Sequence, residues 1–136
     1  MASSKPALAW TEPAILAAAN ERFGYSAVEA RAALYMLYEA GLISYPRTET
    51  AHLPLALIET ASKMVRKLQH WRHREDVHPK YQGPVWNDAR IGSHHGIVPR
   101  KASAVQFALA GVGIVELNMY KLVCERFLEL FQVPLA

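Results

Sequence analysis

Several common features are scarce or missing in this sequence. Its 136 residues include a single cysteine, Cys124, which excludes an internal disulfide; its helical context favours a buried thiol. There is no C-x-x-C, H-E-x-x-H or D-x-D pattern, so no common metal-binding arrangement is predicted. No apolar run approaches the length of about 20 residues that a membrane helix needs, and the N-terminus lacks a signal-peptide core. We therefore expect a cytoplasmic protein with no membrane partner.

Charge of one sign is only slightly in excess. Lys and Arg number 15 against 12 Asp and Glu, which gives a net charge of +3 with neutral histidines. This excess is compatible with a polyanionic partner but does not identify one. Hydrophobic residues make up 51% of the chain and charged residues 20%, which indicates a globular protein. We expect a leader or linker over residues 1–10, one domain over 11–133 and a tail over 134–136.

Capping signals predict a mainly helical fold. Thr11 is a suitable N-cap for a first helix that Gly24 ends, and Ser26 with Glu29 forms a capping box for a second. A third and a fourth helix follow from apolar spacing. The predicted helices span Glu12–Phe23, Ala27–Ala40, Pro54–Gln69 and Val115–Phe131. The segment "SAVQFALA" is compatible with a further helix.

The arrangement of these helices predicts a helix-turn-helix unit with minor strand content. The first two helices are joined by the short link "GYS". The segment "LISY" predicts a short strand, and the Pro- and Gly-rich residues 72–101 predict loops with one or two short strands. The expected buried positions of the second helix are Val28, Ala32 and Tyr35, with Leu34 and Leu37 as further candidates. Those of the third helix are Leu55, Ile58, Met64, Val65 and Leu68.

The segment "GLISYPRTET" carries a candidate nucleophile. Proline disfavours the helical region for the residue before it and fixes its own φ near −65°, so Tyr45 and Arg47 are expected on one side of an extended chain. A phenol oxygen and a guanidinium could then address one phosphate. Tyrosine needs positive charge or a base nearby to become nucleophilic, because its free pKa is about 10. Taken alone, the segment favours the ordinary interpretation of a packing tyrosine and a solvent-exposed arginine.

A second unusual stretch, "WNDARIGSHHGIVPR", places two adjacent histidines in a Gly-rich loop. Neighbouring residues of an extended chain point to opposite sides, so His94 and His95 are a poor pair for one metal ion. A histidine that donates to a phosphate is the better functional interpretation. A structural loop histidine is the ordinary alternative.

Together these stretches resemble the type IA DNA topoisomerases. "GLISYPRTET" resembles their active-site tyrosine motif, and "WNDARIGSHHGIVPR" is similar to a later motif that reads "HHAIIPT" in bacterial topoisomerase III. "FGYSAVEARAALYMLYEAGLISYPRT" fits the helix that leads into the tyrosine, and the order and spacing agree. The resemblance implies the winged-helix-like domain that carries the nucleophile in a larger ring-shaped enzyme.

The resemblance implies roles for individual residues. Tyr45 matches the nucleophile that attacks a backbone phosphate and leaves a 5′-phosphotyrosine and a free 3′-hydroxyl. Arg47 and His94 match residues that contact this phosphate, which makes them both catalytic and DNA-binding candidates. His95 and Arg100 are further candidates for DNA binding. The chain departs from the usual motifs at Glu49, Thr50, Ser93, Gly96 and Arg100.

The resemblance also implies partners that this sequence does not contain. A Toprim domain supplies the acidic cluster that holds Mg²⁺ in the complete enzyme, and this chain shows no such pattern, so no bound cofactor is expected here. The expected partners are single-stranded DNA and the Toprim and ring domains. We expect the isolated chain to be inactive, and Tyr45, Arg47 and His94 to converge on one surface among polar donors.

Two other functions remain open. One is a winged-helix DNA-binding module in which Tyr45 only packs. The other is a relaxase-like enzyme that combines a tyrosine with a histidine-ligated metal, although adjacent histidines do not supply the usual His-x-His pair.

Overall fold

The computed structural model describes residues 7–72, 76–101 and 111–134. Its α-helices are α1 (Glu12–Phe23), α2 (Ala27–Glu39), α3 (Ile58–Arg72) and α4 (Ile114–Glu129), with short 3₁₀ turns at Leu55–Leu57 and Asp88–Arg90. The four predicted helices are therefore confirmed, with ends that differ by a few residues. The third begins with the 3₁₀ turn rather than at Pro54. The segment "SAVQFALA" lies outside the described residues.

The predicted caps explain where α1 and α2 begin and end. The Thr11 side chain accepts a hydrogen bond from the Ala14 amide at 3.2 Å, and Gly24 ends α1 in the left-handed region with φ of 75°. Ser26 and Glu29 form both hydrogen bonds of the predicted capping box. These local bonds define the short link between the two helices, as the sequence predicts.

Helix α2 packs chiefly against α4, and this contact forms the centre of the core. Leu34 and Leu37 are fully buried, but the prediction was wrong for Val28, which is 75% exposed, and for Ala32. The reason is a rotated stripe: the buried positions of α2 are Ala30, Ala33, Leu34 and Leu37, which follow the i, i+3, i+4, i+7 pattern.

The third helix follows its predicted pattern more closely. Met64, Val65 and Leu68 are buried and Ile58 is half-buried, whereas Leu55 is 52% exposed because it lies in the 3₁₀ turn before the helix. Cys124 is buried in α4, as predicted. Among the described helices, none is long and apolar enough to cross a membrane.

Strand content in the described residues is limited to isolated bridges. "LISY" forms a single antiparallel bridge between Ile43 and Pro99 instead of the predicted strand. Proline has no amide hydrogen, so Pro99 on one side and Pro46 on the other prevent a longer ladder. Mainly helical structure with minor β content is thus confirmed. The likeness to a winged-helix fold stays a prediction, since these bridges build no two-stranded wing.

Candidate active site

Backbone hydrogen bonds join the two motif segments side by side. The Ser44 amide donates to the Val98 carbonyl at 2.9 Å, and the Val98 amide donates to the Ser44 hydroxyl oxygen, also at 2.9 Å. Two residues further along, the Arg100 amide donates to the Leu42 carbonyl at 2.8 Å. Both Ser44 and Val98 are buried. The segment that carries Tyr45 is thus held against the histidine loop, although the two are distant in sequence.

A close approach at Gly96 holds the histidine loop against the N-terminal segment. The Gly96 amide donates to the His52 carbonyl at 2.9 Å. A Cβ atom added at Gly96 would lie 2.3 Å from the Cβ of Ala9 and 3.4 Å from the Thr50 carbonyl oxygen. Ala9 is buried, and its amide donates to the Ala51 carbonyl at 2.9 Å. Glycine therefore stands here because three backbone segments meet.

The structure brings Tyr45 and His94 together, as predicted. Their ring centroids are 4.5 Å apart and the rings are tilted by 42°. Tyr45 is half-buried and His94 is exposed, so the phenol lies at the surface of the domain rather than in its core. This placement is compatible with a nucleophile that meets a phosphate from solvent, while the chemical roles of both residues stay predictions.

Arg47 lies beside the same phenol but on a chain that turns. The Thr48 amide donates to the Pro46 carbonyl at 3.0 Å, a hydrogen bond from residue i+2 to residue i that marks a γ-turn around Arg47. The predicted extended conformation was therefore wrong at this residue. Arg47 is exposed, and its positive charge acts on Tyr45 by lowering the pKa of the phenol.

Two further tyrosines surround Tyr45 and were not expected. The Tyr38 ring lies 5.3 Å from the Tyr45 ring and the Tyr35 ring 6.4 Å, both edge to face. The sequence predicts charged or polar donors rather than a bulky apolar shell around Tyr45, and both neighbours are bulky rings that carry a polar hydroxyl group. Tyr35 and Tyr38 are three residues apart on α2, so they share one face of that helix. This spacing, just before the "GLISY" turn, is the sequence signal that could have revealed them.

These neighbours disfavour ionisation of the Tyr45 phenol, which is neutral at neutral pH even in free tyrosine. The hydrogen bond with Tyr35 raises the pKa of Tyr45, helped by partial burial and by the nearby phenols of Tyr35 and Tyr38. The positive charge of Arg47 opposes this effect but does not outweigh it. At neutral pH the phenol is thus a hydrogen-bond donor and a weak nucleophile, which further positive charge would have to activate.

His95 and Arg100 lie at a cleft next to Tyr45. The cleft has a volume of about 480 Å³ and runs from Tyr45 toward α3. The Nδ1 atom of His95 is 2.7 Å from the Gly96 carbonyl oxygen, so Nδ1 carries a proton and Nε2 is left for another partner. Arg100 is exposed. The residues that line the cleft are Tyr38, Ser44, Tyr45, Leu53, Leu57, Thr60, Ala61, Met64, His95, Val98, Pro99, Arg100 and Phe127.

The surroundings of Tyr45 do not fit Mg²⁺. This ion binds chiefly carboxylate, phosphate and water oxygens. The side chains that interact with Tyr45 are instead aromatic rings and the Arg47 guanidinium. Within residues 7–72, 76–101 and 111–134, no group of three or more His, Cys, Asp and Glu side chains forms a metal site.

A second cleft of about 480 Å³ lies between α1 and α4. There the Arg126 guanidinium stacks 3.7 Å above the Trp10 ring and forms an ion pair with Glu129 at 3.5 Å. Arg22 pairs with Glu125 at 2.8 Å. Both arginines of this cleft are therefore paired with glutamates.

The chain matches known DNA topoisomerases over most of its length. A sequence model of the family described as DNA topoisomerase matches residues 1–135. Among curated proteins, DNA topoisomerase 3 of Shouchella clausii is 35% identical over 124 residues, which cover 85% of this chain and 17% of that protein. DNA topoisomerase 3 of Bacillus licheniformis is 30% identical and covers 85% of this chain and 16% of its own length. DNA topoisomerase 3 of Bacillus subtilis is also 30% identical, over 81% of this chain and 16% of its own length.

This chain therefore spans about one sixth of the length of these relatives. The matched region contains both motif segments and the helices that hold them. The chain belongs to the DNA topoisomerase family, and the relatives it resembles are bacterial topoisomerases III.

Proposed function

We propose that this chain is the tyrosine-bearing part of a type IA DNA topoisomerase, which cleaves and reseals single-stranded DNA through Tyr45. The observation that carries the proposal is the half-buried phenol of Tyr45 at the surface, with its ring 4.5 Å from that of His94 and with Arg47 beside it. A residue that only packs would have its hydroxyl enclosed by the core. Membership of the family supports the same assignment.

The proposed reaction is a transesterification. The phenol oxygen of Tyr45 gives up its proton and attacks a backbone phosphorus, the bond from phosphorus to the 3′-oxygen breaks, and the departing oxygen takes up one proton, so the number of protons is unchanged. The strand is left with a free 3′-hydroxyl, and its 5′-phosphoryl group is joined to Tyr45. Attack by the same hydroxyl on the phosphotyrosine reverses the step, so resealing consumes no ATP.

Arg47 and His94 suit the phosphate in this reaction. Both are exposed next to the phenol, and both can donate hydrogen bonds to phosphate oxygens as charge develops on them. The raised pKa of Tyr45 supports the expectation that the isolated chain does not cleave DNA, because the phenol is not activated by its own surroundings. Activation would come from the Toprim part of a longer enzyme, where the resemblance also locates Mg²⁺.

Single-stranded DNA is the proposed partner of this surface. His95 and Arg100 extend it beyond the phosphate at Tyr45, along the neighbouring cleft. Contacts of this kind are weakened by salt, because phosphate binding releases counterions. The winged-helix likeness belongs to the same proposal and is compatible with α1, its short link and α2.

The alternative functions have less support. A winged-helix binding module without catalysis would leave the proximity of Tyr45, His94 and Arg47 without a purpose. A relaxase-like metal site would need convergent histidines. Instead His94 packs on Tyr45, while His95 bonds to the Gly96 carbonyl.

The proposal is tested by replacing Tyr45 with phenylalanine in the full-length enzyme. Tyr45→Phe is expected to abolish cleavage of a single-stranded oligonucleotide while DNA binding and the folded structure are retained. Tyr81→Phe is the matched control, since Tyr81 lies near Gly83 and Leu130, away from the site. Cleavage that survives in Tyr45→Phe would disprove the assignment.

A further inference from the structure

The cleft beside Tyr45 has the composition of a ligand site. Its floor, which is the apolar part of its lining, consists of Leu53, Leu57, Ala61, Met64, Val98, Pro99 and Phe127. Its polar lining residues are Tyr38, Ser44, Tyr45, Thr60, His95 and Arg100. A volume of about 480 Å³ lies within the range of about 300–1,000 Å³ that is usual for small-ligand sites.

Two of these polar groups, His95 and Arg100, have unused hydrogen-bonding capacity. The proton on Nδ1 of His95 is taken by the Gly96 carbonyl, which orients the ring and leaves Nε2 as an acceptor while the histidine is neutral. Arg100 is exposed, and no carboxylate among the described residues pairs with it. The cleft is thus lined by one free acceptor, Nε2 of His95, and one strong donor, the Arg100 guanidinium, beside its apolar floor.

A nucleobase matches this combination of groups. It has two apolar faces, and its edge carries both hydrogen-bond donors and acceptors. Fatty or purely hydrocarbon ligands would leave Arg100 and His95 unused, and a simple anion would leave the apolar floor empty. In single-stranded DNA the bases are unpaired, so one base can rotate away from its neighbours and enter the cleft.

We propose that this cleft binds one nucleobase of the DNA strand whose backbone phosphate is held at Tyr45. The inference rests on the proposed function, because the cleft begins at Tyr45 and the strand would have to pass it. The apolar floor takes the faces of the base, and Arg100 and His95 contact its edge. The chain then recognises a base next to the cleavage point in addition to the phosphate backbone.

The direct test compares the affinity of this chain for two short fluorescent strands. One is a hexamer of abasic nucleotides, and the other is the same hexamer with a single base restored at its centre. The two strands differ only in this base. The difference between their affinities therefore gives the contribution of the base to binding. We expect the restored base to strengthen binding about tenfold, within the range of about 1–3 kcal/mol per stacked base. Equal affinity for both strands, including equal absence of binding, would overturn the proposal.

Variants that fill the cleft provide the second arm. Ala61 lines the cleft and is buried, so Ala61→Leu projects additional methyl groups into it. Thr60→Leu does the same from an exposed position, which keeps the test valid if the first variant is unstable. Ser62→Leu is the matched control on the next residue of α3, which does not line the cleft. The benefit of the restored base should disappear in the first two variants and persist in the control.

The result is distinguishable from a failure of the proposed function. The benefit of the restored base is measured in a binding assay in which no covalent bond is made, whereas the proposed function is measured as cleavage by the full-length enzyme. If Tyr45 is not the nucleophile, that benefit remains while cleavage by the full-length enzyme does not depend on Tyr45. If the cleft takes no base, the benefit is absent or survives in Ala61→Leu and Thr60→Leu, whatever the outcome for Tyr45.

Discussion

The two clefts described here have the same volume of about 480 Å³ but differ in whether their arginines form ion pairs. In the cleft between α1 and α4, each arginine has a partner: Arg22 has Glu125, and Arg126 has Glu129 and the Trp10 ring. In the cleft beside Tyr45, His95 and Arg100 have no acidic partner among the described residues. The arginines of the first cleft are therefore occupied by glutamates, whereas Arg100 of the second cleft is not, within the described part of the chain.

This difference separates a structural joint from a binding surface. Paired charges neutralise each other and hold two elements together, so they have little left for a ligand. An unpaired arginine next to an apolar slot remains available to an anion or a polar edge. Substitutions in the first cleft should therefore change stability, and substitutions in the second should change binding.

The largest effect on stability is expected at the frame of the Tyr45 site. Gly96→Ala places a methyl group 2.3 Å from the Ala9 Cβ, and both backbones are fixed by hydrogen bonds. We expect a loss of about 3 kcal/mol in the free energy of unfolding, measured by urea denaturation. Adding Ala9→Gly removes the clash, so the double variant should regain most of the loss. Wild-type stability of Gly96→Ala would contradict this packing.

Arg126→Ala tests the paired cleft. The substitution removes the stacking on Trp10 and a hydrogen bond that the guanidinium donates to the Leu8 carbonyl at 3.2 Å. The expected loss in the free energy of unfolding is about 1.5 kcal/mol. Affinity for single-stranded DNA at low salt should stay unchanged. A loss of affinity with intact stability would reverse the roles assigned to the two clefts.

Arg100→Ala is the matched experiment in the cleft beside Tyr45. Because the side chain is exposed and makes no ion pair within the described residues, its removal should leave the unfolding transition unchanged. Affinity for single-stranded DNA should fall about threefold to tenfold at low salt, and the slope of log affinity against log salt should shrink by about 0.7. Binding equal to that of the wild type would show that the open cleft is not a DNA surface.

The smallest effect concerns the ionisation of Tyr45. Its hydrogen bond with Tyr35 is the main reason why the pKa of the phenol is raised. Tyr35→Phe should therefore lower the pKa of Tyr45 toward its ordinary value of about 10, so that the phenolate forms at lower pH. Tyr38→Phe is the control with a smaller expected change, because Tyr38 acts only through its charge. NMR titration of ring-labelled tyrosine measures both, and an unchanged or raised pKa in Tyr35→Phe would contradict the assignment.

Local signals made much of the fold predictable. The Thr11 cap, the Ser26–Glu29 capping box and the end of α1 at Gly24 depend on residues within one helical turn, and the structure contains them all. The strand predicted at "LISY" failed because its partner segment contains Pro99, which only long-range pairing reveals. The buried stripe of α2 was misplaced because the direction of α4 decides which of several apolar residues face inward.

The candidate site, like the fold, was only partly predictable from the sequence. Tyr45, Arg47 and His94 were identified from the two motifs, and the proximity of Tyr45 to His94 was expected because both are predicted to contact one phosphate. The roles of Tyr35 and Tyr38 depend on how α2 passes over the tyrosine segment, and the cleft depends on the distance between that segment and α3. The spacing of Tyr35 and Tyr38 indicates that they share a helix face, but neither their contact with Tyr45 nor the cleft is encoded by spacing within a single segment.

The identity of the attacking tyrosine is the central claim, and three tyrosines lie within reach of one another. The most direct measurement traps the full-length enzyme on single-stranded DNA, digests it and locates the nucleotide adduct by mass spectrometry. The account predicts a 5′-phosphoryl nucleotide on the peptide that carries Tyr45. An adduct on Tyr35 or Tyr38, or cleavage that leaves no tyrosine adduct in this chain, would contradict it.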